Sequence, residues 1–268
     1  MTAIIQYWHQ KDCPEIIRSR HSLWREAFPE RYELFDREAA ADFLYRHFGT
    51  EGVSGFRTCA APAMASDYFR YHRLAAAGGL YVDSGFVPGD PLQLVRQTDY
   101  PLFALSVPEA DLTPEIVRAR LVLGRVLLNG VLRTRLGPCP WFALLARLVR
   151  RLIRERASQN IPMATGIGVL TTFDHATSGF RKDPEAAFKD IQLAVPPGHD
   201  RFLAIFQEFM ADHRTEMGSL PACTSIPSDD MAALFHRPWE DGARFSDPAH
   251  WSNHRGSIFN QGPGDSDK

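Results

Sequence analysis

Short apolar runs alternate with longer amphipathic segments along most of the chain. Five runs have the length and the apolar, β-branched character of strands: residues 3–8, 31–35, 80–82, 101–107 and 188–195. The longer segments between them place apolar residues at helical spacing. Strands that alternate with helices predict an α/β fold with a mostly parallel central sheet.

The clearest helix is predicted between Trp141 and Arg156. One side of it is an apolar stripe, and the other side has arginines. The stripe consists of Leu144, Leu145, Leu148, Val149, Leu152 and Ile153, and the arginines are Arg147, Arg150, Arg151 and Arg154. Further helices are predicted from Pro14, over 60–77, over 166–173 and over 201–214, and Gly78 with Gly79 is expected to end the helix over 60–77. Asp36 has the character of an N-cap for a helix that Gly49 ends, and glycine and proline predict a loop over 85–91.

The composition favours one large domain. The chain has 268 residues, of which 44% are hydrophobic, and we expect a single domain over 1–259 with a disordered tail over 260–268. Four scattered cysteines without a CxxC pair indicate neither a zinc site nor a disulfide framework. With no signal-peptide pattern and no apolar stretch of about 18 residues, we expect a cytoplasmic protein, with peripheral contact at the inner face of the membrane as an option.

Positive charge is concentrated in one segment. Residues 117–156 contain ten arginines and one acid, a local charge of +9 in a chain whose net charge is −2. The arginine side of the helix between Trp141 and Arg156 is either a solvated face over a core helix or a surface for anionic lipid. Nucleic acid is not an expected partner, because the remainder of the chain is acidic and has no binding motif.

Candidate chemistry is concentrated in residues 65–87. Asp67 and Arg70 are three apart and share one face of the predicted helix, whereas Asp83 directly follows a predicted strand. Ligands of open α/β sheets bind at the carboxyl ends of the strands. An acid can accept hydrogen bonds from sugar hydroxyls there, and an arginine can donate to hydroxyls or phosphate. We expect both acids to face a ligand rather than the core.

The segment SDYFRYHRLAAAGGLYVDSG, which starts at Ser66, resembles the pattern of the sugar-binding DXD glycosyltransferases. These include initiating α-mannosyltransferases, capsular polysaccharide enzymes and the glucosyltransferase domain of clostridial toxins. The opening IIQYW, ATGIGVLT over 164–171 and HRGSIF over 254–259 are similar to other segments of that family, in the same order. The resemblance implies a GT-A-type fold with added helices. It also implies transfer of a sugar from a nucleotide-sugar donor to a glycan or lipid-linked acceptor, with retention of anomeric configuration.

The resemblance also implies roles for individual residues. Trp8 would stack on the donor base, and Ser66, Asp67 and Arg70 would hold the transferred sugar. Tyr81 and Asp83 would contact the ribose and the metal-diphosphate region. Three further residues complete the set: His254 and Ser257 approach the diphosphate and its Mn²⁺ or Mg²⁺ ion with Asp83, and Asn129 lies near the sugar or the acceptor.

One position departs from the family pattern. Gly85 stands where the family has the second aspartate of the DXD motif. Three interpretations stay open at this point. Asp83, His254 and water hold the metal; the enzyme works without metal, with arginines neutralising the diphosphate; or the chain is a catalytically silent relative that binds a nucleotide sugar or a glycan.

Overall fold

The computed structural model describes residues 3–89, 102–106, 114–135, 137–179, 182–221, 223–226 and 235–236. Among these residues, six strands form the central sheet: β1 (Ile4–Tyr7), β2 (Tyr32–Phe35), β3 (Gly79–Val82), β5 (Leu102–Ser106), β6 (Leu127–Thr134) and β7 (Thr224–Ile226). A separate two-stranded ladder joins β4 (Val87–Pro88) to β8 (Phe235–His236). The expected end of the domain and the tail over 260–268 lie outside the described residues.

The sheet has the order β2-β1-β3-β6-β5-β7. β1 is parallel to β2 and β3, and β5 is parallel to β7, whereas β6 is antiparallel to both β3 and β5. Five of the six strands therefore run in the same direction. The prediction of an α/β fold with a mostly parallel sheet is confirmed, and the arrangement is consistent with the GT-A-type fold that the resemblance implies.

Ten helices are described in addition to the sheet: α1 (Glu15–Ala27), α2 (Arg37–Thr58), α3 (Pro62–Ala77), α4 (Pro114–Leu123), α5 (Pro140–Arg154), α6 (Ile161–Ala164), α7 (Ile167–Gly179), α8 (Pro184–Ala194), α9 (Asp200–Asp212) and α10 (Arg214–Ser219). The six apolar residues predicted to form the stripe of α5 are all buried. The helix predicted over 166–173 exists and continues to Gly179.

Alternate side chains of the strands enter two different cores. One core is a small cluster in which Trp24 and Phe28 of α1 pack with Leu80 and Val82 of β3. The other is much larger, and Tyr81 of β3 joins it together with side chains from α2, α3, α5 and α7. Because successive strand residues point to opposite faces, this division covers the central sheet with helices on both sides.

The local signals near α2 and α3 act as predicted, with one qualification. The Asp36 carboxylate accepts a hydrogen bond from the Ala39 amide at 2.8 Å, which caps α2. Gly49 has φ 63° and ψ −158°, and it kinks α2 instead of ending it. Gly78 ends α3 at φ 65°, where a Cβ atom would lie 1.8 Å from the Arg135 carbonyl oxygen, so the position requires glycine.

Three elements differ from the prediction. The strand predicted over 188–195 is wrong, because residues 188–194 belong to α8 and Val195 is its C-cap. Asp183 caps the start of α8 by accepting from the amides of Glu185 and Ala186. The predicted loop over 85–91 contains the short strand β4. β6 was not predicted, because Leu127–Thr134 includes Asn, Gly and Arg and lacks a simple alternation of apolar and polar residues.

The arginines of α5 are paired with acids from other helices. Arg151 contacts Glu208 and Asp212 of α9 as well as its own neighbour Glu155, and Arg147 contacts Glu216 of α10. These contacts place the acidic charge of the remaining chain against the basic segment. They offset part of the basic charge of this segment within the protein, and contact of this face with a membrane finds no support. No described helix is long and apolar enough to cross a bilayer.

Candidate functional site

Three neighbouring parallel strands are each followed by an aromatic or acidic residue. Trp8 follows β1, Asp36 follows β2 and Asp83 follows β3. The Trp8 amide donates to the Phe35 carbonyl at 2.9 Å, and the Ser84 hydroxyl donates to the Tyr7 carbonyl at 3.1 Å, so the three strand ends are tied together. This edge is where α/β folds bind nucleotides and other small ligands.

An ion-pair cluster lies beside this edge. Arg70 of α3 contacts Asp83 at 2.8 Å and Asp67 at 3.2 Å. The Arg70 side chain is 4% exposed and that of Asp67 is 5% exposed, whereas 38% of the Asp83 side chain reaches the surface. Of the two carboxylates, Asp83 is therefore the one that a ligand can reach directly.

Asp67 is held from both sides. Its Oδ1 atom accepts from the Asn129 amide at 2.7 Å, and its Oδ2 atom accepts from the Thr165 hydroxyl at 3.0 Å. Burial raises the pKa of Asp67 to about 6, although the positive charge of Arg70 and these two hydrogen bonds act in the opposite direction. Asp67 thus joins α3, β6 and the segment before α7.

Arg70 donates hydrogen bonds to several groups within the protein. Its guanidinium donates to the Ser66 hydroxyl at 2.8 Å, to the Asn129 carbonyl and to Asp83. The guanidinium lies 4.5 Å from the centroid of the Tyr81 ring, whose hydroxyl shares a 2.8 Å hydrogen bond with Ser66. These contacts hold the Asp83 carboxylate in place next to a positive charge.

Two glycines leave room for the carboxylates. A Cβ atom at Gly130 of β6 would lie 2.8 Å from Oδ2 of Asp83, and one at Gly166 would lie 3.4 Å from Oδ2 of Asp67. The Asp83 amide also donates to the Gly130 carbonyl at 2.8 Å. A side chain at position 130 would therefore force the Asp83 carboxylate, the far end of a flexible side chain, to move.

A cavity of about 110 Å³ opens beside Trp8, and its lining includes Phe35, Asp36, Lys11 and His21. The indole nitrogen of Trp8 is buried and has no hydrogen-bond partner among the described residues. An indole ring at the wall of a cavity offers the flat apolar surface that a stacked base needs.

His21 is a buried residue in the lining of this cavity. Its Nε2 atom lies 2.9 Å from the Ser84 hydroxyl, whose own proton goes to Tyr7, so Nε2 is the donor. Nδ1 is then an acceptor, and within the described part of the chain it has no partner. Burial lowers the pKa of His21 to about 4, which keeps the ring neutral.

The structure brings together most of the residues that the sequence selected. Six of them form one set of contacts: Ser66, Asp67, Arg70, Tyr81, Asp83 and Asn129. Trp8 lies at the end of the neighbouring strand. The expectation that Asp67 lies outside the core is wrong, because the residue is 4% exposed. His254 and Ser257 lie outside the described residues.

Sequence reasoning did not assign two residues of this region. Thr165 lies in the segment 164–171 that resembles the family, and its adjacent Thr-Gly pair was the available signal. His21 is on α1, and nothing in its sequence context distinguished it from other helical histidines. Its contact with Ser84 depends on the packing of α1 against β3, which only the fold shows.

The described residues do not by themselves fit a divalent cation. They include no group of three His, Cys, Asp or Glu side chains arranged to bind a metal. Asp83 provides one carboxylate near the surface, and the guanidinium of Arg70 already lies on its Oδ1 atom. Mg²⁺ and Mn²⁺ prefer several oxygen ligands in near-octahedral geometry, so no catalytic step is assigned to a metal here.

Comparisons with known proteins add little to this description. No protein-family model matches the chain, and no curated protein matches it in sequence. A solved structure described as PaToxG Glycosyltransferase is similar in part, with 13% sequence identity and a TM-score of 0.46, over 83% of this chain and 87% of that chain. At this identity and TM-score the likeness supports no conclusion about the function of this protein.

Proposed function

We propose that the protein is a glycosyltransferase that takes a sugar from a nucleotide-sugar donor bound at the carboxyl edge of β1 and β3. The observation that supports the proposal best is the convergence of the residues that match the family pattern. Residues from α3, β3 and β6, together with Thr165, are distant in sequence and form one connected set of contacts beside the partly exposed Asp83. Buried charged residues beside a partly exposed carboxylate at a strand edge are typical of a binding or catalytic site.

In the proposed complex, Trp8 stacks on the base and Asp83 accepts hydrogen bonds from ribose hydroxyls. Breaking the sugar-phosphate bond builds positive character at the anomeric carbon and negative charge on the leaving diphosphate. Positive groups that face the diphosphate would stabilise that charge. Lys11 lines the Trp8 cavity, and we assign this role to it. In this proposal the acceptor is a glycan or a lipid-linked sugar, and transfer retains the anomeric configuration. The comparison of manganese with chelator in the test below decides whether a divalent cation assists.

A silent nucleotide-sugar-binding protein is the second candidate. Gly85 adds no carboxylate next to Asp83, and the Asp83 carboxylate is itself paired with Arg70. Such a protein would keep the donor site and would bind the nucleotide without turnover. The two candidates therefore differ in hydrolysis and not in binding.

The test is a panel of nucleotide sugars assayed for donor hydrolysis, with manganese and with chelator. Water replaces the unknown acceptor, so a released sugar identifies the donor without further information. Hydrolysis of at least one donor supports the transferase. Nucleotide binding by calorimetry without any hydrolysis favours the silent protein, and the absence of both contradicts the proposed site.

Changing Trp8 to alanine is expected to weaken nucleotide binding by about 1–3 kcal/mol, the range for loss of base-aromatic stacking. Calorimetric titration with UDP and GDP measures the effect. Tyr45 is 60% exposed on α2, and Tyr45→Ala provides a control for loss of an aromatic ring away from the site. Equal affinity in wild type and Trp8→Ala would show that Trp8 does not stack on the nucleotide base.

Changing Gly130 to alanine is expected to lower donor hydrolysis several-fold without unfolding the protein. The new methyl group would lie 2.8 Å from Oδ2 of Asp83 and 3.2 Å from the Phe86 ring, so the carboxylate has to move. Gly218→Ala on α10 is the matched control, because a Cβ atom there has no neighbour within 4 Å. Equal loss of activity in both variants would show that the position of Asp83 is not the cause.

A further inference from the structure

A second cavity, of about 370 Å³, lies beside the C-terminal half of α7. Its lining includes Leu123, Arg125, Thr171, Asp174, Ser178 and Cys223, none of which belongs to the donor site. Asp174 lies seven residues after Ile167, the first residue of α7, which places it roughly 10 Å along the helix axis. The volume is within the range of small-molecule binding sites.

Asp174 is a buried acid in the lining of this cavity, and one of its carboxylate oxygens has no partner among the described residues. Its side chain is 2% exposed, and its Oδ2 atom accepts from Nε and Nη2 of Arg125 at 2.9 and 2.6 Å. Its Oδ1 atom is buried and has no hydrogen-bond partner among the described residues. Leaving such an acceptor unsatisfied costs about 1–3 kcal/mol, so a ligand or water that donates a hydrogen bond is favoured.

The charges in the cavity favour a neutral ligand. Arg125 pairs with Asp174, so a carboxylate and a guanidinium offset each other within the lining. Burial raises the pKa of Asp174, while the adjacent Arg125 opposes that shift. His175, which also lines the cavity, has the Asp190 carboxylate as a partner at 3.3 Å.

The remaining lining combines hydroxyl groups with an apolar wall. Arg125 is 33% exposed and can donate to a ligand, and Ser178 presents an exposed hydroxyl at the rim. The Thr171 oxygen accepts from the Leu127 amide, which leaves its proton for another acceptor. Leu123 adds an apolar surface. An acceptor, several donors and an apolar wall in one cavity complement a compound with many hydroxyl groups on a carbon ring.

We propose that this cavity is a second binding site, which takes a neutral polyhydroxylated ligand, a free sugar or a sugar unit of a glycan, through Asp174 and Arg125. The site stands on its own contacts and does not depend on the proposed transferase activity. If the protein is a transferase, the cavity offers a place for a sugar of the acceptor or product, separate from the donor.

Saturation-transfer NMR on the full chain tests the proposal, with D-glucose, D-galactose, D-mannose and N-acetyl-D-glucosamine as probes. At least one sugar is expected to give a signal. Asp174→Asn keeps the size of the side chain and replaces one oxygen with an amide donor. Ser178→Trp fills the rim from an exposed position, and each variant is expected to weaken binding at least tenfold.

Two matched variants should keep the signal: Ser54→Trp adds the same ring at an exposed position of α2, and Asp83→Ala alters the donor site. Circular dichroism checks that every variant is folded. If Asp174→Asn does not fold, the result with Ser178→Trp tests the proposal. No signal from any of the sugars with wild type would overturn the proposal and leave a cavity filled by water. A signal that survives both cavity variants, or one that Asp83→Ala abolishes, would also overturn it.

Discussion

Changing Asp83 to alanine is expected to lower donor hydrolysis by about 100-fold while the protein stays folded. The carboxylate is 38% exposed at the end of β3, where a ribose hydroxyl can reach it. Loss of a hydrogen bond to a charged group costs roughly 1.5–3 kcal/mol, which corresponds to a change of about 10- to 150-fold. The folded state survives because Arg70 keeps Asp67, Ser66 and the Asn129 carbonyl as partners.

The assay compares wild type, Asp83→Ala and Asp42→Ala with the donor that the hydrolysis panel identifies. Asp42 is an exposed acid on α2, so its replacement removes the same charge far from the site. Thermal unfolding establishes that all three proteins are folded. Wild-type turnover in Asp83→Ala would remove Asp83 from the site and with it the main support for the proposed function.

The sequence predicted those parts of the fold that depend on local signals. The N-cap at Asp36 and the end of α3 at Gly78 each follow from one residue and its neighbours. β6 has no such local signal. Leu127–Thr134 forms a strand because it pairs with β3 on one side and with β5 on the other. At 188–195 the apolar residues suggested a strand, yet the Asp-Pro-Glu start at 183–185 is a helix signal and determines the structure.

The candidate site could be predicted only in part. Residue identities and the resemblance selected Asp67, Arg70 and Asp83, and the structure brings them into contact. The sequence could not show that Asp67 is buried, because this depends on Asn129 and Thr165, which lie about 60 and 100 residues further along the chain. The same limit applies to the cavity at Asp174, which forms where α7 packs against distant segments.

Changing Arg70 to methionine is expected to destabilise the protein by about 3–5 kcal/mol near pH 8, the largest effect on stability that the site predicts. Arg70 is the counter-ion of the buried Asp67, and methionine fills similar space without charge. Asp67 would keep its hydrogen bonds to Asn129 and Thr165 and would lose its charge partner. An unpaired carboxylate in the core is what makes the variant unstable.

The loss of stability in Arg70→Met is expected to be larger near pH 8 than near pH 5. Burial already raises the pKa of Asp67 to about 6, and Arg70 is the main group that opposes this shift. Without Arg70 the folded-state pKa rises further above the value of about 3.9 in the unfolded chain. At pH values between the unfolded-state and the folded-state pKa, folding of the variant then takes up a proton. The free energy of unfolding of Arg70→Met therefore falls as the pH rises from about 4 through the folded-state pKa, and the variant is less impaired near pH 5 than near pH 8.

Urea unfolding near pH 5 and pH 8 measures this difference in wild type, Arg70→Met and the double variant Arg70→Met with Asp67→Asn. Asn at position 67 has no charge to bury, so the double variant should lose the added pH dependence and regain part of the stability near pH 8. Arg46→Met, on the exposed side of α2, is the control for removal of an arginine. The loss of stability in Arg70→Met could be equal at both pH values, or Asp67→Asn could fail to reduce it. Either result would show that Arg70 does not stabilise the core by balancing the charge of Asp67.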